Sequence, residues 1–177
     1  MMPGRHRCGD DIIKVYIFDI DGVLVDVSER LRRAKELSEG SRELFWKYFF
    51  SKELIELDKP RDIGIRLLID RLKMGLVAIV TGRPKSLYYI TLKQLKAINI
   101  PIEQIWRIEM RRDGDYRKSY IVKLERILNI VYEGYEIAEI HDDEEELLYR
   151  ARIYLPKTRL YLHKNDSVIE LFSKKLW

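Results

Sequence analysis

The chain contains few cysteines, prolines and glycines, and it has no long apolar run. Among its 177 residues there is one cysteine, Cys8, together with five prolines and nine glycines. A single cysteine excludes an intramolecular disulfide and a metal site built from cysteines. No apolar run approaches the roughly 20 residues of a membrane-spanning helix, and the amino terminus lacks the hydrophobic region of a signal peptide. We therefore expect a cytoplasmic protein without a membrane segment.

What the chain does contain is typical of a folded domain. Its hydrophobic content of 46% and charged content of 35% favour a globular protein over a disordered one. Its length fits one domain, so we predict a single domain over residues 1–177 with a flexible tail over 1–10. The net charge of +4 is too small to indicate nucleic-acid binding by itself. The high content of Lys, Arg, Glu and Ile, with few Asn and Gln, is typical of thermophiles.

The most informative segment runs from Lys14 to Asp26. The run Ile12–Phe18 is apolar and β-branched, which predicts a buried strand. It is followed by two carboxylates separated by one residue, Asp19 and Asp21, and then by Gly22. Acidic side chains at the carboxyl end of a buried strand lie where open α/β sheets have their ligand crevice. A strand that runs into an Asp-Gly turn explains this segment equally well, so the other motifs must decide.

Residues 27–57 are predicted to form a small helical insertion after this motif. Ser28 can cap a helix over Glu29–Leu37, and a second helix over Ser41–Ser51 is rich in aromatic residues. Such a helix either packs deeply or covers a site, and we favour core packing. The segment Asp58–Pro60 then predicts the start of the next helix, because proline is common at the first helical position.

A second buried strand, Leu76–Val80, runs directly into the sequence Thr-Gly-Arg-Pro at 81–84, and a helix is predicted over Leu87–Ile98. Thr81 therefore lies at the carboxyl end of a strand, with a helix amino terminus just beyond it. Free N–H groups, the helix dipole and the Thr81 hydroxyl would together favour a phosphate oxygen at this position. A threonine that only caps the helix is the alternative.

A third strand, Ile105–Met110, opens into the basic, turn-rich segment 111–118, and a helix is predicted over Ser119–Ile130. Two lysines, Lys118 and Lys123, lie near the start of this helix. Five residues on a helix correspond to about 140° of rotation, so only one of the two can face a given site.

A fourth strand, Tyr135–Ile140, is followed by His141 and then by the acidic run Asp142–Glu146. Such a run is usually a solvated helix start. Because it directly follows a buried strand, we expect its first two residues, Asp142 and Asp143, at the same sheet edge as the first motif.

The closing region shows no chemistry that we can identify. Residues Ile153–His163 could form one or two strands, and a last amphipathic helix is predicted from Asp166-Ser167 to Trp177. We expect His141 and His163 to be structural or surface residues.

These motifs, in this order, resemble the haloacid-dehalogenase-like (HAD) phosphohydrolases. The family has Asp-x-Asp-Gly after its first strand, Thr-Gly-Arg after a second, a lysine on a helix, and Asp-Asp after a later strand. The resemblance implies an α/β fold: a three-layer, Rossmann-like αβα arrangement with a mostly parallel sheet and a small helical cap. Receiver domains of response regulators also use Asp, Thr and Lys, but they place an acidic pair before a lone aspartate.

A narrower resemblance is to the phosphatase domain of polynucleotide kinase 3′-phosphatases. It is carried by Arg30-Leu31, by Trp46 with Phe49-Phe50, by Thr81–Pro84 and by the segment Met110–Arg117. In that family the lysine follows the last segment at a distance that corresponds to Lys123 rather than Lys118.

The chain also departs from that family. It has no phosphate-loop motif, so the kinase half is absent from this sequence. Glu144 stands where an arginine often follows the Asp-Asp pair, and Val23 stands where many HAD enzymes have threonine.

The resemblance implies catalytic roles for four residues. Asp19 would attack phosphorus and become an aspartyl-phosphate, while Asp21 would act as general acid and then general base. Asp21 would need a raised pKa for this, and we expect neighbouring carboxylates to supply it. Thr81 and Lys123 would bind the remaining phosphate oxygens.

The resemblance also implies a magnesium site. Mg²⁺ suits a set of oxygen ligands and can bridge protein and phosphate. We assign it the side chains of Asp19 and Asp142 and the backbone carbonyl of Asp21, with Asp143 as an alternate or outer ligand.

Beyond the reacting phosphate, Gly82, Arg83, Arg117 and Lys118 are predicted to contact substrate. The basic residues at 107, 111, 112 and 117 lie among Trp106 and Tyr116, a mixture that single-stranded nucleic-acid sites use. Nucleic acid is therefore a candidate partner, although a basic loop is more often a solvated surface.

The sequence thus predicts a Mg²⁺-dependent phosphohydrolase. Its substrate would be a phosphate monoester such as a nucleotide or a polynucleotide 3′ end. A phosphotransferase that uses the same aspartyl-phosphate, and a non-catalytic nucleic-acid-binding or regulatory protein on the same scaffold, are the alternatives. The sequence gives no indication of oligomeric state.

Overall fold

The computed structural model describes residues 12–173, so the predicted tail over 1–10 lies outside the described residues. Between residues 62 and 164 the α-helices and strands alternate. The strands are Lys14–Phe18 (β1), Val25–Asp26 (β2), Lys59–Pro60 (β3), Leu76–Pro84 (β4), Arg107–Arg111 (β5), Glu136–Asp142 (β6), Arg159–Lys164 (β7) and Ser167–Leu171 (β8). The α-helices are Ser28–Ser38 (α1), Arg42–Phe49 (α2), Lys52–Ile55 (α3), Asp62–Leu72 (α4), Tyr88–Ala97 (α5), Ser119–Tyr132 (α6) and Glu145–Tyr154 (α7).

Six of the strands form one sheet in the order β5-β4-β1-β6-β7-β8. All neighbouring pairs are parallel except β7 and β8. Phe18, the last residue of β1, pairs with Ile79 of β4 on one side and with His141 of β6 on the other. The chain builds outward from β1 in both directions, so the carboxyl ends of β1, β4 and β6 meet at a switch point of the topology. The predicted α/β fold with a mostly parallel sheet is confirmed.

Both faces of the sheet are covered, which gives the three layers. Val15 and Ile17 of β1 pack with residues of α6 and α7, such as Ile127. Tyr16 and Phe18, whose side chains point to the other face, pack with residues of α4 and α5. A parallel strand that is buried on both faces has apolar residues at successive positions, as β1 does.

The helices α1, α2 and α3 form an insertion whose two ends are joined by the short antiparallel ribbon of β2 and β3. Phe49 of α2 and Ala34 of α1 are buried together in a small core of the insertion. Phe49 stacks on Phe45 with ring centroids 5.6 Å apart. The aromatic helix therefore packs mainly against its own neighbours, although Trp46 is 47% exposed.

Two predicted helix starts are wrong. Pro60 lies in β3 instead of a helix, because Lys59 pairs with Asp26 and the proline takes the extended conformation of a ribbon edge. The helix begins at Asp62. Ser28 does not cap α1 but is its first residue, and its N–H donates to the Asp26 carboxylate at 2.9 Å.

The predicted C-terminal helix is also wrong over the described residues. The segment Ser167–Leu171 is β8, which forms a hairpin with β7 through a two-residue turn. Asn165 in that turn has a φ of 48°, which asparagine tolerates better than most residues. β7 offers an unpaired edge, and β-branched Val168 and Ile169 suit a strand. Before this hairpin, α7 continues to Tyr154, so only the second part of the region predicted as strand is extended.

Within residues 12–173, none of the helices combines the length and the hydropathy that crossing a bilayer requires.

Candidate active site

The sheet brings the predicted acidic motifs together at the carboxyl ends of its central strands. Asp19 directly follows β1, and Asp142 is the last residue of β6. The Asp19 N–H donates to the carbonyl of His141 at 3.0 Å, which joins the ends of the two strands. Thr81 is buried in the neighbouring strand β4. The three motifs therefore share one edge of the sheet, as their positions in the sequence predicted.

Lys123 extends from α6 into the space between the two aspartates. Its Nζ donates to Asp19 Oδ2 at 2.7 Å and to the two oxygens of Asp142 at 3.0 and 2.9 Å. Burial lowers the pKa of Lys123, but the carboxylates of Asp142 and Asp19 more than offset this and raise it well above the ordinary value. Lys118 instead precedes α6, is exposed, and lies with its Nζ 5.8 Å from the ring centre of Tyr120. Of the two lysines, only Lys123 contacts Asp19 and Asp142.

Three carboxylates at this edge could hold a cation. One oxygen each from Asp19, Asp142 and Asp143 lie within 4.8 Å of one another. Asp19 Oδ1 is buried and has no hydrogen-bond partner among the described residues. Burial raises the pKa of Asp142 well above its ordinary range, and Asp19 adds to this while Lys123 opposes it. An oxygen-only donor set with an unpaired buried oxygen fits a hard cation such as Mg²⁺.

Asp143 lies on the solvent side of this cluster, next to Gly22. Although the residue is exposed on one side, burial of its carboxylate and the nearby charge of Asp19 raise the pKa of Asp143 to about 7. Gly22 has a φ of +76°, and a Cβ at this position would collide with the Asp143 carboxylate. The glycine of the first motif is therefore required both by its backbone conformation and by the close approach of the last motif.

Asp21 lies in a different environment. Its Oδ1 accepts from Arg30 Nη2 at 2.5 Å and from Arg83 Nε and Nη2 at 3.1 and 2.6 Å. Burial raises the pKa of Asp21, but the two guanidinium groups outweigh it and lower the pKa to about 2. The expectation of a raised pKa is therefore wrong for this structure, because the neighbours of Asp21 are arginines rather than carboxylates.

Asp58 is a buried member of this group that sequence reasoning missed. It forms ion pairs with Arg30 Nε at 2.9 Å and Arg83 Nη2 at 3.2 Å, and it accepts from Gln94 Nε2 at 2.9 Å. Burial raises the pKa of Asp58 to about 6, despite the opposing charge of Arg30. The only sequence signal was an acidic residue before Lys-Pro, which predicted a helix start. The structure instead uses it to connect the insertion to β4 and α5.

Known proteins provide a second line of comparison. No protein-family model matches the sequence, and no curated protein resembles it significantly. Solved structures do match. A Pnkp1/Rnl/Hen1 complex aligns with a TM-score of 0.65 at 20% identity, over 87% of this chain and 47% of the other. The chain thus spans about half of that protein. A haloacid-dehalogenase-like hydrolase from Streptococcus pneumoniae aligns with a TM-score of 0.62 at 16% identity, over 84% and 83% of the two chains.

A third match is a HAD-superfamily hydrolase of subfamily IA from Geobacter sulfurreducens. Its TM-score is 0.51 at 20% identity, over 84% of this chain and 88% of the other. The protein has a HAD-like fold. At these identities the matches establish the fold, and the chemistry has to be argued from the residues of this chain.

On this HAD-like fold, most of the predicted basic contacts are already engaged by protein groups. Arg83 is buried against Asp21, as described above. Arg107 pairs with Glu133 through two hydrogen bonds of 2.9 and 2.7 Å. Arg117 pairs with Asp115 and with Glu125, both at 2.7 Å. Contacts of Arg83, Arg117, Lys118 and Gly82 with a substrate stay predictions.

His141 lies behind the acidic edge of the HAD-like sheet. Its ring is stacked between Phe18, at 4.2 Å, and Tyr161, at 4.6 Å. Its nitrogens lie 3.1 Å from Glu139 Oε2 and 3.1 Å from His163 Nε2. The ring does not face the carboxylate cluster through either nitrogen, which agrees with a structural role.

Proposed function

We propose that the protein is a Mg²⁺-dependent phosphohydrolase that cleaves a phosphate monoester through an aspartyl-phosphate on Asp19. The observation that carries this proposal is the convergence of the Asp19, Asp142 and Asp143 carboxylates at the carboxyl edge of a HAD-like sheet, where the ammonium of Lys123 contacts Asp19 and Asp142. Phosphoryl transfer depends mainly on positioning and on neutralising charge. This edge offers a carboxylate nucleophile, a lysine and a buried threonine within one small region.

The metal would be held by the side chains of Asp19, Asp142 and Asp143 and by the backbone carbonyl of Asp21. When bound, Mg²⁺ supplies positive charge that offsets these carboxylates and the phosphoryl oxygens. Lys123 and Thr81 then contribute protein donors to the oxygens that remain. Without a cation, this edge presents more negative than positive charge and would repel a phosphate dianion.

In the first step an Asp19 oxygen forms a bond to phosphorus while the bond from phosphorus to the ester oxygen breaks. The leaving oxygen takes a proton from Asp21. At rest Asp21 is ionised because of its two arginines. A phosphate dianion that arrives beside it raises its pKa by like-charge repulsion, so Asp21 first takes up a proton from solvent and then passes that proton to the leaving oxygen.

In the second step a water oxygen attacks phosphorus and Asp21 takes the proton of that water. The bond between phosphorus and Asp19 breaks, which releases inorganic phosphate and restores the carboxylate. Asp21 thus acts first as acid and then as base, and its oxygen Oδ1 stays bound by both arginines throughout.

As substrate we propose a nucleotide or polynucleotide 3′-phosphate. Support comes from the structural similarity to the chain in the Pnkp1/Rnl/Hen1 complex and from the Met110–Arg117 segment, which is similar to polynucleotide 3′-phosphatases. Tyr116, in the segment after β5, is 94% exposed, and an exposed aromatic ring suits a substrate that carries bases.

The Asp19→Asn variant tests the proposed chemistry. Phosphate release from a 3′-phosphorylated oligonucleotide, a nucleoside 3′-monophosphate and a sugar phosphate would be measured with Mg²⁺ and with EDTA. We expect Mg²⁺-dependent release by the wild type and none by the variant, which should still be folded and unfold in one cooperative transition. Acid quenching of a reaction with ³²P-labelled substrate should leave label on the wild type alone. Turnover by Asp19→Asn would rule out Asp19 as the nucleophile.

A further inference from the structure

Arg111, the last residue of β5, is held almost entirely by backbone carbonyls. Its Nε donates to Gly82 O at 2.9 Å. Its Nη1 donates to Asp115 O at 2.8 Å and to Arg117 O at 2.6 Å. These carbonyls belong to two different segments, the one that follows Thr81 and the one that leads to α6. The guanidinium is therefore fixed in place, yet no carboxylate lies within ion-pair distance of it among residues 12–173.

The third nitrogen of this guanidinium is free. Nη2 has no hydrogen-bond partner among the described residues, and it is not one of the buried unpaired atoms of the structure. A Cβ placed on Gly82 would lie 3.7 Å from this atom, so Nη2 is close to the backbone that follows Thr81. It therefore faces accessible space beside the segment that we assign to phosphate binding.

The carboxylate of Glu144 acts on both the Arg111 guanidinium and the Lys123 ammonium. Burial lowers the pKa of Arg111, and the charges of Asp115 and Glu144 act in the opposite direction. Glu144 Oε2 in turn lies 3.7 Å from Lys123 Nζ. Arg111 is thus within electrostatic range of a residue that contacts the central lysine of the site.

Among residues 12–173, Arg111 forms no ion pair, whereas Arg83, Arg107 and Arg117 do. Arg83 is buried between two carboxylates, and Arg107 and Arg117 each pair with glutamates or aspartates. Those charges are already compensated inside the protein. A guanidinium that is held rigid by carbonyls, with an unpaired nitrogen, loses little side-chain entropy when it binds an anion.

We propose that Arg111 binds, through Nη2, a second anionic group of the substrate next to the reacting phosphate. The inference rests on the proposed function and narrows its substrate class to phosphate monoesters that carry another phosphate. Two sources share this chemistry: the second phosphomonoester of a nucleoside 3′,5′-bisphosphate and the phosphodiester of a 3′-phosphorylated polynucleotide. Glu144 opposes the effect, because its carboxylate lies in the same region and repels an anion.

The first experiment compares three substrates in the presence of Mg²⁺: a nucleoside 3′-monophosphate, the matching 3′,5′-bisphosphate and a 3′-phosphorylated dinucleotide. One charged hydrogen bond corresponds to at least about tenfold in affinity, so we expect the wild type to show a KM about tenfold lower for a substrate with the second phosphate. Arg111→Gln should remove this preference. The substrate that gains most identifies whether a monoester or a diester is the natural second group.

The ratio of KM values between the substrates distinguishes a role of Arg111 in substrate binding from a purely structural role. If Arg111 only holds the two segments together, its replacement lowers activity on all three substrates equally and leaves the ratio unchanged, which would overturn the proposal. Arg112→Gln is the matched control, because Arg112 is exposed and adjacent in the chain, and it should keep the preference. Arg111→Lys serves if Arg111→Gln does not fold: its single nitrogen cannot replace both the three carbonyl contacts and the contact of Nη2, so it should also lower the preference.

A binding measurement keeps the inference testable if no substrate is hydrolysed, an outcome that would count against the proposed function alone. Titration calorimetry on Asp19→Asn with Mg²⁺ should give about tenfold tighter binding of the bisphosphate than of the monophosphate. The double variant with Arg111→Gln should bind both equally, and Glu144→Gln should strengthen bisphosphate binding. Equal affinities in the presence of Arg111 would overturn the inference.

Discussion

The two aspartates of the first motif are separated by one residue and lie in opposite environments. Around Asp19, three carboxylates lie close together, and the ammonium of Lys123 contacts two of them, Asp19 and Asp142. Around Asp21, two carboxylates face two guanidinium groups. We call these the acidic cluster (Asp19, Asp142, Asp143 and Lys123) and the arginine network (Asp21, Asp58, Arg30 and Arg83).

The difference between the two regions shows which of them needs an external charge. The arginine network is balanced by its own residues and is complete as it stands. The acidic cluster has an excess of carboxylates, raised carboxyl pKa values and an unpaired buried oxygen, so it is suited to take up a cation and a phosphate. The two aspartates that follow β1 thus differ: Asp19 belongs to a ligand site, and Asp21 is an ionised carboxylate that two arginines hold in place. The following predictions test this contrast.

The largest effect is expected at Asp21. Replacing it by asparagine removes the proton carrier while keeping hydrogen-bond acceptance from the arginines, and general acid–base catalysis contributes about 10²- to 10⁴-fold. We expect kcat to fall by that factor with an alkyl phosphate. With 4-nitrophenyl phosphate, whose leaving group needs no proton, the loss in the first step should be much smaller. Because the second step also uses Asp21 and is shared by both substrates, the first step is measured separately as single-turnover release of the alcohol or of 4-nitrophenol. Equal losses in that step would show that Asp21 does not deliver a proton.

The next effect is on stability. Arg30→Met leaves Asp21 and Asp58 without one of their two buried cations, and breaking a buried ion pair from one side costs about 3–5 kcal/mol of unfolding free energy. Urea unfolding should show this loss with and without Mg²⁺, because the arginine network does not use the metal. Arg32→Met, which removes exposed ion pairs on the same helix, is the control and should leave the unfolding free energy nearly unchanged. Recovery of Arg30→Met by Mg²⁺ would contradict the separation of the two regions.

Asp21 and Asp143, one from each region, should respond to pH in opposite directions. Asp58 of the arginine network, whose pKa burial raises to about 6, should respond in the same direction as Asp143. The pKa of Asp21 falls from 3.8 to about 2 on folding, so its contribution is present above pH 3.8 and is lost as the pH falls toward 2. That loss amounts to about 2 kcal/mol. The pKa of Asp143 rises from 3.8 to about 7, so without metal its ionisation destabilises the fold as the pH rises from about 4 to 7.

Unfolding free energies between pH 2 and 8, measured without Mg²⁺, test this. Asp21→Asn should reduce the decline at low pH, to which Asp115 also contributes. Asp143→Asn should reduce the decline toward pH 7, to which Asp58 and Asp142 also contribute. Because protons compete with a cation for Asp142 and Asp143, Mg²⁺ should stabilise the wild type more at pH 8 than at pH 5. The same slope in the wild type and Asp143→Asn above pH 4 would mean that Asp143 is not a titrating member of the cluster.

The smallest effect is expected at the aromatic helix. The Phe49 ring centre lies 4.3 Å from the Arg30 guanidinium carbon, and the Phe49 carbonyl accepts from Arg30 Nη1 at 3.3 Å. Phe49→Leu keeps the carbonyl but removes the ring, so we expect a loss of about 1–2 kcal/mol of unfolding free energy. Trp46→Leu, on the exposed side of the same helix, should cost less. A larger loss at Trp46 would place the main support of the insertion elsewhere.

Much of the acidic cluster could be predicted from the sequence because each part depends on local pattern. Asp19, Thr81 and Asp142 each follow or end an apolar run, and parallel strands bring such ends to one edge. Lys123 was predicted from the resemblance to polynucleotide 3′-phosphatases, in which a lysine follows the segment that corresponds to Met110–Arg117 at this distance. The metal-binding and catalytic roles of these residues stay predictions until the experiments above are made.

The arginine network could not be predicted in the same way. Its members are far apart in the chain, and Asp58 was interpreted as part of a helix start. The contact of Arg30 with Asp21 exists only because α1 folds back over the sheet edge. The raised pKa that was expected for Asp21 failed for the same reason, since the sign of a pKa shift depends on which charges come near.

The sequence by itself determined the alternation of strands and helices, the mostly parallel sheet and the edge at which the acids meet, because hydrophobic periodicity and polar strand ends are local properties. Only the tertiary structure decided that β8 completes the sheet as a strand, that Asp21 is paired with two arginines, and that Arg111 keeps a free nitrogen beside Gly82. These features depend on which distant groups share a desolvated space, and charges act on one another through that space rather than along the chain.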